Sequence, residues 1–163
     1  LGLTREEEDV VPLRAGEQAT PTAIAPVAPA PEATLQFPSE GGGQAPPLDQ
    51  QVDTSGCLNP QATLTYPADR SQVVGSIEVR GTADIPNFAL YKFEVAGAYS
   101  GGRWMTLAAG TTPVKEGLLG TWESATVPPG AYAFRLVVSD TAGNSPPPCA
   151  RVIEVLPPGQ LAP

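Results

Sequence analysis

After Cys57 the chain is written in short runs whose apolar residues fall on every second position, broken at intervals of about 8–15 residues by Pro, Gly, Asn and Asp. Seven runs are predicted as strands: 62–66, 74–82, 88–96, 103–109, 121–127, 131–139 and 150–156. In the second, Ile77 and Val79 share a face opposite Glu78 and Arg80. In the third, Tyr91, Phe93 and Val95 point inward, and Lys92 and Glu94 outward. The sixth is the clearest, with Tyr132, Phe134, Leu136 and Val138 on one face and Arg135 and Ser139 on the other; Trp122 in the fifth and Ile153 and Val155 in the last are expected inside. No stretch carries a helical period long enough to cross over between parallel strands, so antiparallel pairing is expected throughout. The predicted fold is all-β, a seven-stranded antiparallel Greek-key sandwich over residues 57–156 with a short tail at 157–163.

The first 56 residues read differently. They hold nine acids against Arg5 and Arg14, a charge of −7 out of −8 for the whole chain, with Phe37 as their one aromatic residue. Residues 21–31 are rich in Pro and Ala, and Gly41, Gly42 and Gly43 follow. Such a segment cannot bury enough apolar surface to offset its ordering entropy, so residues 1–56 are expected as an extended or disordered, acidic, Pro-rich tether. One local exception is Thr4-Arg5-Glu6-Glu7, a capping box that Pro12 limits to about two helical turns. The chain opens on Leu1, so a processed product or a fragment is expected.

Composition narrows the chemistry. There is no His to serve as a general base, and the acidic balance with no basic cluster argues against nucleic acid. No apolar run approaches the roughly 20 residues that span a bilayer. Cys57, just before the first strand, and Cys149, at the start of the last, are placed for sandwich topology to bring them together; a disulfide and an oxidising compartment are expected. Tyr132, following Pro128-Pro129-Gly130, fits a tyrosine corner, a structural role shared by the buried Trp122. Asp140 and Asn144 are weak metal candidates, with Asp69 and Asp84 as outlying ligands, and a tight turn is the better reading of that loop. Tyr99, Arg103 and Trp104 form a candidate ligand surface, since aromatic platforms suit sugar rings.

Two stretches carry a family resemblance: residues 62–95, and residues 118–149 with their Gly130-x-Tyr132-x-Phe134-x-Leu136-Val137-Val138-x-Asp140-x-x-Gly143-Asn144 pattern. They resemble the immunoglobulin-like or fibronectin-like extracellular modules of Chloroflexus-type bacteria, which follow a Pro-rich linker in penicillin-binding and other envelope proteins. The resemblance covers about 100 residues, leaves the first 56 untouched, and speaks to fold rather than ligand. Lys92 and Lys115 are the chain's lysines and neither stands in a Ser-x-x-Lys arrangement, so the enzymatic activity of such parents is not carried over. The expectation is a non-enzymatic module at the cell surface that needs no cofactor and contacts an envelope protein, a cell-wall polymer or copies of itself. Two alternatives are a structural subunit of a filament or sheath, whose N-terminal segment packs on neighbouring copies, and a glycan-binding sandwich.

Overall fold

Period-two patterning after Cys57 becomes eight strands in a computed structural model that describes residues 34–37 and 45–160. They are β1 (Ala62–Tyr66), β2 (Ser71–Val73), β3 (Ser76–Ala83), β4 (Phe88–Gly97), β5 (Met105–Gly110), β6 (Val114–Glu123), β7 (Gly130–Asp140) and β8 (Cys149–Val155). One sheet has the order β1-β3-β6 and the other β2-β8-β7-β4-β5, so the chain passes between sheets at β1→β2, β2→β3, β3→β4, β5→β6 and β6→β7 in Greek-key fashion. The capping box at Thr4 and the Pro/Ala stretch at 21–31 lie outside the described residues.

The inward positions meet between the sheets. Phe93 and Phe134 stack with ring centroids 5.9 Å apart, and Trp122 of the opposite sheet lies 5.7 Å from Phe134. Ile77, Val79, Val95, Leu136, Val138, Ile153 and Val155 are buried around them. Tyr132 donates its hydroxyl to the Pro128 carbonyl at 2.7 Å, tying the start of β7 to the connection that precedes it.

Two expectations need correction. The sandwich has eight strands rather than seven, and its pairing is not antiparallel throughout, because β2 runs parallel to β8 with Ser71, Gln72 and Val73 opposite Ile153, Glu154 and Val155. Three residues are too few to display a period, and the pairing is set up from outside the strand. The Asp69 carboxylate accepts from the Val152 amide at 2.9 Å, and the Arg70 amide donates to the Val152 carbonyl, so the chain leaving β1 is captured by β8 before β2 begins.

The second correction concerns β6, expected at 121–127 and found at Val114–Glu123, with 124–126 forming a 3₁₀ turn. Its alternation is broken in the sequence because Val79 and Arg80 pair with Gly120 and Leu118, leaving Leu119 as an extra residue. The bulge buries the Leu119 side chain and leaves Leu118 about half exposed. It also aims the Leu119 carbonyl across the sandwich, where the Tyr91 hydroxyl donates to it at 2.6 Å; burial raises the pKa of Tyr91. Tyr91→Phe is therefore expected to cost about 1–3 kcal/mol, the penalty for an unmet buried carbonyl, read as a shift in urea midpoint at unchanged slope.

Candidate functional site

The outer face of the five-stranded sheet is where the sequence pattern and the structure part company. Lys92, Glu94 and Arg135 point away from the core, as their alternation requires, yet the Glu94 side chain is only 4% exposed and that of Arg135 11%. Glu94 on β4 stands directly opposite Arg135 on β7. Its Oε2 accepts from Arg135 Nε at 2.7 Å and Nη2 at 2.6 Å, while its Oε1 accepts from Lys92 Nζ at 2.7 Å and from the Thr106 hydroxyl at 3.0 Å. Burial pushes the Glu94 carboxyl pKa up, but the Lys92 and Arg135 contacts outweigh it and hold it below the ordinary range. The Arg135 guanidinium lies 4.1 Å from the centre of the Trp104 ring, a cation–π contact.

What covers this face is the chain's own upstream segment. Ala96 and Ala133, both fully buried, form a floor of small side chains, and Leu35 seats on it at 7% exposure with Phe37, Leu48, Val52 and Trp104 around it. Burying a leucine in this way stabilises by roughly 1.5–3 kcal/mol. The backbone of residues 34–37 is held at two successive positions. The Leu35 amide donates to the Gly102 carbonyl at 3.1 Å. The Gln51 side chain then grips Gln36 twice, Oε1 accepting from its amide at 2.5 Å and Nε2 donating to its carbonyl at 2.8 Å. Gln51 is the last residue of a single helical turn, α1 (Leu48–Gln51). Gly102 is required twice over: its φ is +78°, and a Cβ there would stand 1.7 Å from the Leu35 carbonyl oxygen. The folded region thus includes residues 34–37 and 45–56, upstream of Cys57. Beside the strap lies a hollow of about 180 Å³, bounded by Leu35, Val52, Asp53, Trp104, Arg135 and Pro148.

The predicted site residues fall in separate places. Cys57 and Cys149 are joined in a disulfide, with Gly56 so close to the Pro148 carbonyl that a Cβ would come within 2.1 Å of its oxygen. Trp122 is a core residue whose indole donates to the Thr126 hydroxyl at 3.1 Å. Tyr99 is 63% exposed, but it borders a different hollow, of about 370 Å³, with Val127, Pro128, Pro129 and Leu156, and the structure does not bring it into the Trp104 hollow. Arg103 folds back on its own turn, its Nε reaching the Ser100 carbonyl at 3.4 Å. Asp140 accepts from the amides of Ala142 and Asn144, both at 2.9 Å, and from the Asn144 side chain. The Asn144 contacts chiefly hold its carboxyl pKa below the ordinary range. Asp69 is engaged at Val152, level with Ala133 rather than with the Asp140 end of β7. Among the described residues no group of three or more His, Cys, Asp or Glu is placed to hold a metal ion, and no helix is long and apolar enough to cross a membrane.

Sequence reasoning missed the strap, Gln51, and the burial of Glu94 and Arg135. A signal was present: Ala96 and Ala133, small residues at outward positions of adjacent strands, leave room that only another element can fill.

Neither a protein-family model nor a curated protein matches the chain. Among solved structures it is similar to fibronectin(III)-like modules of Clostridium thermocellum CbhA, with 15% identity, a TM-score of 0.40 and coverage of 58% of this chain and 94% of that one. It is also similar to a lytic polysaccharide monooxygenase of Jonesia denitrificans, at 12% identity and TM-score 0.40, over 55% of this chain and 60% of that one. An engineered protein matches at 16% identity and TM-score 0.40, over 58% of this chain and 19% of that one. The order and register of its own strands are what make the described region a small all-β module of immunoglobulin- and fibronectin-like build.

Proposed function

We propose that this chain is a non-enzymatic spacer and contact module of the extracellular face or cell envelope, in which residues 1–33 act as an acidic tether for the sandwich. The disulfide between Cys57 and Cys149 carries the reading, because such a bond persists in oxidising compartments. The strongly acidic, proline-rich first third supports it by composition. The partner in this reading is a protein or polymer of the envelope.

Limited proteolysis of the full chain, followed by mass determination with and without reductant, tests it. The expected result is rapid cleavage within residues 1–33 and a resistant core that starts between Ala33 and Thr34 rather than at Cys57. A chain that resists from Leu1 in its native material means the first third is held by neighbouring copies, and the structural-subunit reading then replaces this one.

A further inference from the structure

The strap has the properties of a bound peptide more than those of a sandwich strand. Its buried anchor is Leu35, in a trough floored by Ala96 and Ala133, with the partly buried Phe37 packed against the same cluster. The remaining grip is on main chain, from the Gly102 carbonyl and from both ends of the Gln51 amide. Seven residues, 38–44, with Gly41, Gly42 and Gly43 among them, connect it to the rest of the folded unit. The disulfide and the inter-sheet core lie after residue 56, so the strap can leave without opening either of them.

We propose that this trough is a peptide-docking site, that residues 34–37 occupy it reversibly, and that its second occupant is the same segment of another copy of this chain. A second copy is the partner the observations favour, because it carries a peptide already fitted to the trough. Seven connecting residues span at most roughly 25 Å, so exchange brings the outer faces of two sandwiches together, each donating a strap to the other in an isologous dimer. A connection of only seven residues gives the chain's own strap an effective concentration on the order of millimolar. In dilute solution each chain therefore closes on itself, and exchange takes over where copies are crowded to a similar density. This goes beyond the spacer reading and does not depend on it.

The test uses the full chain, intact and as Leu35→Asp, titrated with a blocked hexapeptide of the sequence of residues 33–38 while tryptophan emission is followed; Trp104 borders the trough and Trp122 is buried elsewhere. Leu35→Asp is expected to bind the peptide saturably. The intact chain should need at least about ten-fold more, because its own strap leaves the trough open only a small fraction of the time. The same hexapeptide with Asp in place of Leu should bind neither. Sedimentation from about 10 µM to about 1 mM should show the intact chain moving towards dimer and Leu35→Asp remaining monomeric. No peptide binding by Leu35→Asp, equal affinity in both chains, or an intact chain that stays monomeric throughout overturns the proposal. Leu35→Ala replaces Leu35→Asp if the latter loses the near-ultraviolet signature of the folded core.

Discussion

Cys57→Ser/Cys149→Ser is expected to lower stability by about 4–5 kcal/mol, the chain entropy released when a closed loop of this length is opened. The bridge spans 92 residues, nearly the whole sandwich, so its loss lets the unfolded chain expand almost without restriction. Much of the stability of an ordinary domain is at stake in a change of that size. Urea titration of the oxidised chain against the double variant measures it. A midpoint shift worth less than about 2 kcal/mol would mean that the cross-link acts on the folded state in a way that offsets the entropy. The variant also has a clear proteolytic signature, which reduction of the parent should reproduce: β8, the strand that begins at residue 149, becomes accessible to cleavage well before the oxidised chain is cut.

The second large effect belongs to Glu94. Glu94→Gln takes a carboxylate away from Arg135 and Lys92 in a place where Arg135 has little water to replace it, and the expected cost is about 3 kcal/mol. Lys92 is a third exposed and keeps its hydration, which places the figure at the lower end of the range for broken buried pairs. A pH dependence follows. Folding lowers the pKa of Glu94, so below the ordinary carboxylate range the unfolded chain binds more protons than the folded one. The contribution of Glu94 is fully present above its unfolded pKa and is lost as pH falls through its folded pKa. Thermal melts between neutral and acid pH should therefore show a steeper loss for the parent than for Glu94→Gln, and parallel curves would show that the carboxylate is not held below its ordinary range.

The faces of the strands were legible in the sequence because each inward residue answers to its own strand. Tyr132, Phe134, Leu136 and Val138 alternate with Arg135 and Ser139 whether or not the neighbours are known, and all four are buried. What lies over the other face is not written in that period. Glu94 and Arg135 read as solvent-facing because alternation says only "away from the core", yet they are enclosed by each other, Lys92, Thr106 and Trp104, and Leu35, which covers the neighbouring Ala96 and Ala133, comes from about sixty to one hundred positions upstream in a stretch whose composition looks unable to fold. The same limit hid β2, whose pairing is arranged by Asp69 and Arg70 with Val152, and displaced β6, whose bulge at Leu119 puts two successive leucines on opposite terms with solvent. Tyr99 and Trp104 were grouped because they are five residues apart, but the turn between them, with Gly101 and Gly102 at positive φ, sends them to different hollows.

The position of the disulfide also decides how the module responds to being pulled. Tension entering the sandwich from the residue 56 side reaches Cys57 and passes through the sulfur bridge to Cys149, leaving by β8. Strands β1 to β7 sit on a slack loop that carries no load, so the roughly 300 Å of contour length stored in those residues stays shut while the bridge is closed. The strap, being upstream of Cys57 and held by few contacts, is in the loaded path and gives way first. Of the described residues, the strap is what yields under load, and the sandwich remains a fixed-length link until a reductant cuts the shortcut.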